Sequence, residues 1–144
     1  MLNAISMDLA MDSNPTATAL DTLFNAYYYA DRADKEGKGI SGGKPSLTSF
    51  HEKYQISLER VDYIKEVTSK TLFVALARVA REFSLKFTMK GTNQFARRLV
   101  NDKKVIESSG FEISWREGNS RTRWYSIKKK RDVPVEEELL EIGA

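Results

Sequence analysis

The sequence predicts a mostly α-helical domain with a C-terminal β-hairpin, which is an α+β fold. Apolar residues recur at helical spacing through most of residues 13–109. Apolar and polar residues then alternate on both sides of Gly118 and Asn119, a dipeptide suited to a hairpin loop. The chain has 144 residues, 41% of them hydrophobic, including seven Phe and six Tyr. This size and composition are typical of one folded domain with its own core.

The first predicted helix covers residues 13–36 and follows a loose N-terminus at residues 1–12. Ser13 or Asn14 can cap it, Pro15 suits its first turn, and Gly37 ends it. Its apolar face consists of Leu20, Leu23, Phe24, Tyr27 and Tyr28. We expect the helix to be an extension of the main domain or a homodimer surface, with the tyrosines at 27–29 in the core or in that surface. A glycine-rich linker is predicted at residues 37–45.

The main domain is predicted over residues 46–131, and its first half is helical. A short helix begins at Ser46, which can cap it, and a second helix is expected between residues 56 and 67. The strongest helical pattern lies at residues 69–86. There the apolar face consists of Leu72, Phe73, Leu76, Val79, Ala80 and Phe83. Residues 132–144 are predicted to form an acidic C-terminal tail.

A fourth helix completes the helical part of the domain. Thr92 can cap this helix, and it continues to about Ser109. Phe95, Leu99 and Ile106 face inward. Gly110 stands where a C-terminal cap glycine belongs.

The register of the hairpin can be predicted from which residues share a face. A two-residue loop pairs Ile113 with Trp124, whereas a three-residue loop at residues 118–120 pairs Ile113 with Tyr125. The longer loop also pairs Glu117 with Arg121 and turns Trp124 to the outer face. It places four apolar side chains on one face, because side chains alternate along a strand. These are Phe111, Ile113, Tyr125 and Ile127. We therefore predict the three-residue loop.

The sequence gives little support to several classes of function. There is no cysteine, which excludes disulfides and thiolate metal sites and fits a reducing compartment such as the cytoplasm. His51 is the only histidine, so we predict no metal site, no cofactor and no catalytic residues. The segment from Gly39 to Lys44 is one residue too short for a phosphate-binding loop, and Pro45 replaces the required Ser or Thr. We expect no signal peptide and no membrane partner.

The charge distribution points to a polyanionic partner. Residues 86–131 hold 13 Lys and Arg but four Asp and Glu, a balance of +9, whereas the whole chain carries +3. A basic segment in an otherwise acidic chain favours nucleic acid on one face. Two helices followed by a hairpin are also the order of a winged helix-turn-helix domain. In that fold the second helix enters the DNA major groove and the hairpin, or wing, approaches the backbone.

The residues predicted to contact duplex DNA lie on the fourth helix, on the wing and at the wing's exit. Asn93, Gln94 and Arg97 suit base edges, whereas the other cations suit phosphates. With about four to six phosphate contacts, log K should fall with log salt at a slope of about −3.6 to −5.4. For Trp124 two alternatives stay open, packing on the first helix or contact with DNA or a protein. The predicted site comprises Lys90, Thr92, Asn93, Gln94, Arg97, Arg98, Asn101, Lys104, Arg116, Arg121, Arg123, Trp124, Lys128 and Lys130.

Three consecutive motifs resemble the C-terminal winged-helix region of primase-helicases of the satellite-phage and poxvirus type. They are "LFVALARVAREF", "QFARRLV" and "GFEISWREGNSRTRWYSIKK", within residues 60–130. The chain has no room for a primase or ATPase domain, so the resemblance implies a detached DNA-binding module of a viral, plasmid or other mobile element. The leading hypothesis is a non-enzymatic DNA-binding protein in replication or transcription control. The alternative is a protein-interaction module that binds a partner or host protein through its Tyr-rich N-terminal helix.

Overall fold

The computed structural model describes residues 14–37, 45–119 and 122–130, and these ranges form five helices and one three-stranded antiparallel sheet. The elements are α1 Pro15–Lys35, α2 Ser46–Tyr54, β1 Tyr63–Thr68, α3 Ser69–Glu82, α4 Thr92–Asn101, α5 Lys103–Ser108, β2 Phe111–Glu117 and β3 Arg123–Lys129. The predicted α+β class is confirmed. The predicted loose N-terminus, most of the glycine-rich linker, Arg121 and the acidic tail lie outside the described residues.

Helix α1 begins and ends as its sequence predicts. The Asn14 side chain accepts the N–H of Ala17 at 2.9 Å, Pro15 is the first helical residue, and Gly37 follows the helix with a φ of +71°. A positive φ suits glycine because it has no Cβ to clash with the backbone. Of the two expected caps, Asn14 rather than Ser13 performs this role.

Helix α1 is part of the domain core and not an extension of it. Leu20, Leu23 and Phe24 are buried together with residues of α3 and of the sheet. The Phe24 ring stacks on Phe111 of β2, with the ring centroids 5.9 Å apart. The predicted boundary at residue 46 is therefore wrong, because the core of residues 46–131 would be open without this helix.

The tyrosine run divides between the core and the surface. Tyr27 packs edge-on against Phe50 of α2, with centroids 5.2 Å apart. Tyr29 is 69% exposed, and Tyr28 lies beside it with its hydroxyl accepting a hydrogen bond from Arg32. Of the two tyrosines predicted on the apolar face of α1, Tyr27 therefore continues it into the core and Tyr28 does not.

Helix α2 is capped by a residue of α1 and not by Ser46. Pro45 occupies the N-cap position and makes no side-chain cap. The Asp34 carboxylate accepts the N–H of Leu47 at 3.0 Å and that of Ser46 at 2.6 Å. These two donors lower the pKa of Asp34, because they stabilise its charged form. The carboxylate thus ties the end of α1 to the start of α2.

The helix predicted between residues 56 and 67 is absent, and the strand β1 occupies its second half. This strand pairs with β3 in the antiparallel sense, with Ile64 opposite Ile127 and Thr68 opposite Trp124. The sheet order is β1-β3-β2. Pairing with a strand some 60 residues away overrode the weak local helical pattern, which is how tertiary context usually acts on such segments.

The helix predicted after Thr92 is broken into α4 and α5. Thr92 is the first residue of α4 and not its cap, since Gly91 holds the N-cap position. The break lies at Asp102, whose carboxylate accepts a hydrogen bond from the Asn14 side chain at 3.3 Å. Phe95, Leu99 and Ile106 are buried as predicted, and Gly110 has the positive φ of a C-terminal cap.

The hairpin register differs from the predicted one by two residues, whereas its faces are those predicted. Ile113 pairs with Ile127 and Glu117 with Arg123, so the loop spans residues 118–122. A shift of two residues keeps every side chain on its face, because side chains alternate with a period of two. Phe111, Ile113, Tyr125 and Ile127 are therefore buried, as expected.

Helix α3 buries the apolar face that the sequence predicts, with one exception. Phe83 is 50% exposed, because the helix ends at Glu82 and the chain turns at Ser84 with a φ of +55°. Phe73 lies at the edge of the core against Phe87 and Phe95, with centroid distances of 5.9 and 5.6 Å. This aromatic cluster fixes α4 against α3, and it thereby positions the exposed side of α4.

Candidate nucleic-acid interface

An open groove of about 620 Å³ runs between the first turn of α3, the exposed side of α4 and the start of β3. We call it the basic groove. Three cations line it, Lys70, Arg97 and Arg123, and the described lining residues include no Asp or Glu. The lining consists of Thr68, Ser69, Lys70, Thr92, Asn93, Ala96, Arg97, Thr122, Arg123 and Tyr125. A groove of this charge attracts anions.

Two helices begin at the basic groove, and both contribute to its positive potential. Thr68 caps α3 by accepting the N–H of Thr71 at 3.2 Å, so the first turn of α3 lies in the groove wall. Thr92 and Asn93, the first two residues of α4, form the facing wall. The first N–H groups of a helix have no partner within it, and the helix dipole makes that end positive. A phosphate in the groove would meet two such ends.

Helix α4 presents Asn93 and Arg97 to the basic groove, one turn apart, with the small Ala96 between them. Gln94 and Arg98 do not line it. The side-chain oxygen of Gln94 accepts the N–H of Lys90 at 2.8 Å, and Arg98 lies 3.7 Å from the Asp102 carboxylate. Of the three residues predicted to face base edges, Gln94 therefore lies outside the groove, because its side chain stabilises the turn before α4.

Arg123 is held at the rim of the basic groove by aromatic residues. Its guanidinium lies 5.7 Å from the centre of the Trp115 ring, and it donates a hydrogen bond to the Tyr125 hydroxyl at 3.2 Å. The Lys103 ammonium lies 5.3 Å from the same indole. Both distances suit cation–π attraction, which is strongest with tryptophan. Trp115 thus places two cations on one side of the wing.

Three residues of this arrangement, Lys70, Lys103 and Trp115, were not predicted from the sequence. Lys70 lies before the segment that the charge count selected, and Lys103 adjoins the predicted Lys104. Trp115 could have been found from the alternation of side chains along the hairpin, which places it on the same buried face as Ile113. Trp115 pairs there with Tyr125. Lys70 could have been found only by knowing that α3 and α4 begin side by side.

Arg116 and Trp124 are neighbours on the opposite face of the sheet from Trp115. They pair across β2 and β3, and the Arg116 guanidinium lies 5.6 Å from the Trp124 ring centre. Arg116 also forms an ion pair with Glu66, whose pKa is lowered chiefly by that hydrogen bond. Trp124 packs against Gly118, where an added Cβ would lie 2.7 Å from its Nε1 atom. Neither residue lines the basic groove.

Lys128 and Lys130 lie at the other end of β3. The Lys130 N–H donates to the carbonyl of Gly110 at 2.7 Å, and its ammonium lies 3.6 Å from Glu112. Lys128 lies five positions after Arg123, which is about 17 Å along a strand. The structure therefore does not bring these two lysines together with Arg97 and Arg123.

Three further predicted residues, Lys90, Asn101 and Lys104, are exposed. Lys90 precedes α4, Asn101 ends it, and Lys104 lies on α5 beyond the break. Arg121 belongs to the loop residues that the structure does not describe. Of the fourteen predicted site residues, the basic groove contains four, namely Thr92, Asn93, Arg97 and Arg123.

The described part of the chain offers neither a metal-binding group nor a membrane-spanning helix. Residues 14–37, 45–119 and 122–130 contain no group of three or more His, Cys, Asp or Glu residues that could hold a metal ion. None of the helices in these ranges has the length and apolar content needed to cross a membrane. Comparison of the chain with protein families, curated proteins and solved structures found no match.

Proposed function

We propose that this chain is a non-enzymatic protein that binds duplex DNA through the basic groove. One observation carries the proposal: Lys70, Arg97 and Arg123 converge from three elements on a groove whose described lining includes no acidic residue. Cations that only solubilise a surface have no reason to converge in this way. DNA phosphates are the polyanion that such grooves most often meet.

The order of the elements supports a winged-helix mode of binding. A helix, a strand, three further helices and a hairpin follow one another, and β1 pairs with the second strand of the hairpin. In this mode α4 enters the major groove, which is about 12 Å wide and admits one helix. Asn93 then faces base edges, whereas Lys70, Arg97 and Arg123 meet the backbone phosphates beside it. A role in replication or transcription control of a viral or mobile genome follows from the sequence resemblance alone.

Fluorescence anisotropy with a labelled duplex at several salt concentrations tests the proposal. If the three groove cations each meet a phosphate, log K falls with log salt at a slope of about −2.7. Arg97→Ala should weaken binding and make the slope shallower by about 0.9. Lys35→Ala is the matched control, since it removes a cation that is 73% exposed at the far end of α1. Absence of duplex binding at low salt, or an equal effect of both variants, would refute the proposal.

The exposed tyrosines of α1 support a second candidate function, binding of a partner protein. Tyr28 and Tyr29 form an edge-to-face pair, and Tyr29 is largely exposed. The rest of the apolar face of α1 is buried in the core, so the available surface is small. If this candidate is correct, the duplex will bind weakly and without dependence on Arg97.

A further inference from the structure

The outer face of the sheet carries a second group of aromatic and basic residues, separate from the basic groove. Alternation along the paired strands places those of β1, β2 and β3 on the face opposite Ile113 and Tyr125, and Arg60 joins them from the turn before β1. We call this surface the outer sheet face. It consists of Arg60, Tyr63, Glu112, Ser114, Arg116, Trp124, Ser126 and Lys128. We propose that the outer sheet face binds single-stranded DNA, which goes beyond the proposed duplex binding.

Each of the two aromatic rings on this face has an arginine beside it. The Arg60 guanidinium lies 5.0 Å from the centre of the Tyr63 ring, and the Arg116 guanidinium lies 5.6 Å from that of Trp124. Aromatic rings and guanidinium planes are the groups on which unpaired bases stack. A base of a duplex offers no free ring face, whereas every base of a single strand does. The occupant that matches these groups is therefore a single strand.

The spacing of the two arginine–aromatic pairs suits a single strand of DNA that follows the direction of β3. Tyr63 lies opposite Lys128, and Trp124 is four residues before Lys128 on β3. The two rings are therefore about 13 Å apart along the strand direction. That distance corresponds to about four nucleotides at a rise of ~3.4 Å, and to fewer in a more extended strand.

The space between the rings is polar and open. A shallow cleft of about 330 Å³ is lined by Arg60, Tyr63, Glu112, Ser114, Ser126 and Lys128. Ser114 and Ser126 are cross-strand partners in it, and their hydroxyls can both donate and accept hydrogen bonds. The Ser126 hydroxyl already accepts the N–H of Glu66 at 3.2 Å and keeps its own proton to donate. Such groups can form hydrogen bonds with base edges without selecting one type of base.

The charge of the outer sheet face favours a polyanionic ligand over a partner protein with an ordinary surface. It holds three cations, Arg60, Arg116 and Lys128, against two carboxylates, those of Glu112 and Glu66. The Glu112 carboxylate lies 3.6 Å from the ammonium of Lys130. Glu66 of β1 binds Arg116, which is 55% exposed and so keeps part of its guanidinium open to a phosphate. If the three cations of the face each meet one phosphate, the salt slope for a single strand is about −2.

The test uses Trp124 as a reporter in the full chain. The chain contains two tryptophans, so Trp115→Phe leaves Trp124 as the only one. We expect a short oligothymidine to quench the fluorescence of Trp124 on titration, because a stacked base lies on the indole. In the same background Tyr63→Ala should weaken oligothymidine binding at least about fivefold, the lower limit for loss of one stacked base. Tyr63→Phe keeps the ring and should bind as before.

Three variants separate this proposal from duplex binding. Lys128→Glu changes an exposed residue, should leave folding intact, and should weaken oligothymidine binding without weakening duplex binding. Arg97→Ala should do the reverse. Lys35→Ala should change neither affinity. If the duplex is not bound but oligothymidine still quenches Trp124, the basic groove fails as a DNA site and the outer sheet face stands.

Two results would overturn the proposal. The first is that oligothymidine at low salt neither binds nor quenches Trp124. The second is that Arg97→Ala weakens oligothymidine binding whereas Tyr63→Ala and Lys128→Glu do not, which would place the single strand in the basic groove.

Discussion

Replacement of Phe24 by alanine tests whether α1 is part of the domain core. The Phe24 side chain is 1% exposed and stacks on Phe111 of the sheet. Removal of a buried phenylalanine typically lowers the free energy of unfolding by about 3–5 kcal/mol, through lost apolar burial and the cavity that remains. Since small domains are stable by about 5–15 kcal/mol, Phe24→Ala should remove a large fraction of the stability.

Urea denaturation followed by circular dichroism measures this loss. With an m-value of about 2 kcal/mol/M, a loss of about 4 kcal/mol lowers the urea midpoint by roughly 2 M. Tyr29→Ala is the matched control on the same helix, because its side chain is 69% exposed and its loss should cost less than about 0.5 kcal/mol. If the two variants shift the midpoint equally, α1 is an appendage and the core begins at α2.

Three further substitutions test single contacts. Asn14→Ala removes the cap of α1 and the hydrogen bond to Asp102, and it should lower the free energy of unfolding by about 1–2 kcal/mol in urea denaturation. Asp34→Asn should lower the melting temperature at pH 7 and reduce the acid sensitivity of the fold. The pKa of Asp34 is lowered in the folded state, so its stabilising effect is present above the unfolded pKa and is lost as the pH falls through the folded one. Gly118→Ala should displace the Trp124 ring, shift its fluorescence emission and lower stability by about 1 kcal/mol, whereas an unchanged spectrum would contradict the 2.7 Å approach.

Local patterns in the sequence were enough to predict the ends of α1, the buried face of α3 and the buried face of the hairpin. Each of these depends on residues within a few positions of one another. The strand β1 depends instead on its pairing with β3, and nothing within residues 56–67 shows that partner. The hairpin register failed for a related reason. Alternation identifies which face a residue occupies, but it cannot separate two registers that differ by two residues.

The candidate site shows the same division between local pattern and tertiary arrangement. The basic segment predicted a surface for a polyanionic partner, yet several of its cations are bound to acids of the same molecule. Lys129 lies 2.9 Å from Asp21 of α1, and Arg98 lies 3.7 Å from Asp102. A count of charges along the chain treats these cations as equal to Arg97, although a bound ammonium releases fewer counterions on meeting a phosphate.

The salt slope makes this difference measurable. Counting cations along the sequence gave four to six phosphate contacts, whereas the basic groove offers three cations, one of which lies outside the counted segment. A duplex slope near −2.7 would mean that the groove alone meets DNA. A slope steeper than about −3.6 would mean that cations on the wing and on α5 join it, and that the ion pairs of Arg116 and Arg98 open on binding. The geometry favours the shallower slope, because those arginines already have carboxylate partners and must lose them before they can bind phosphate.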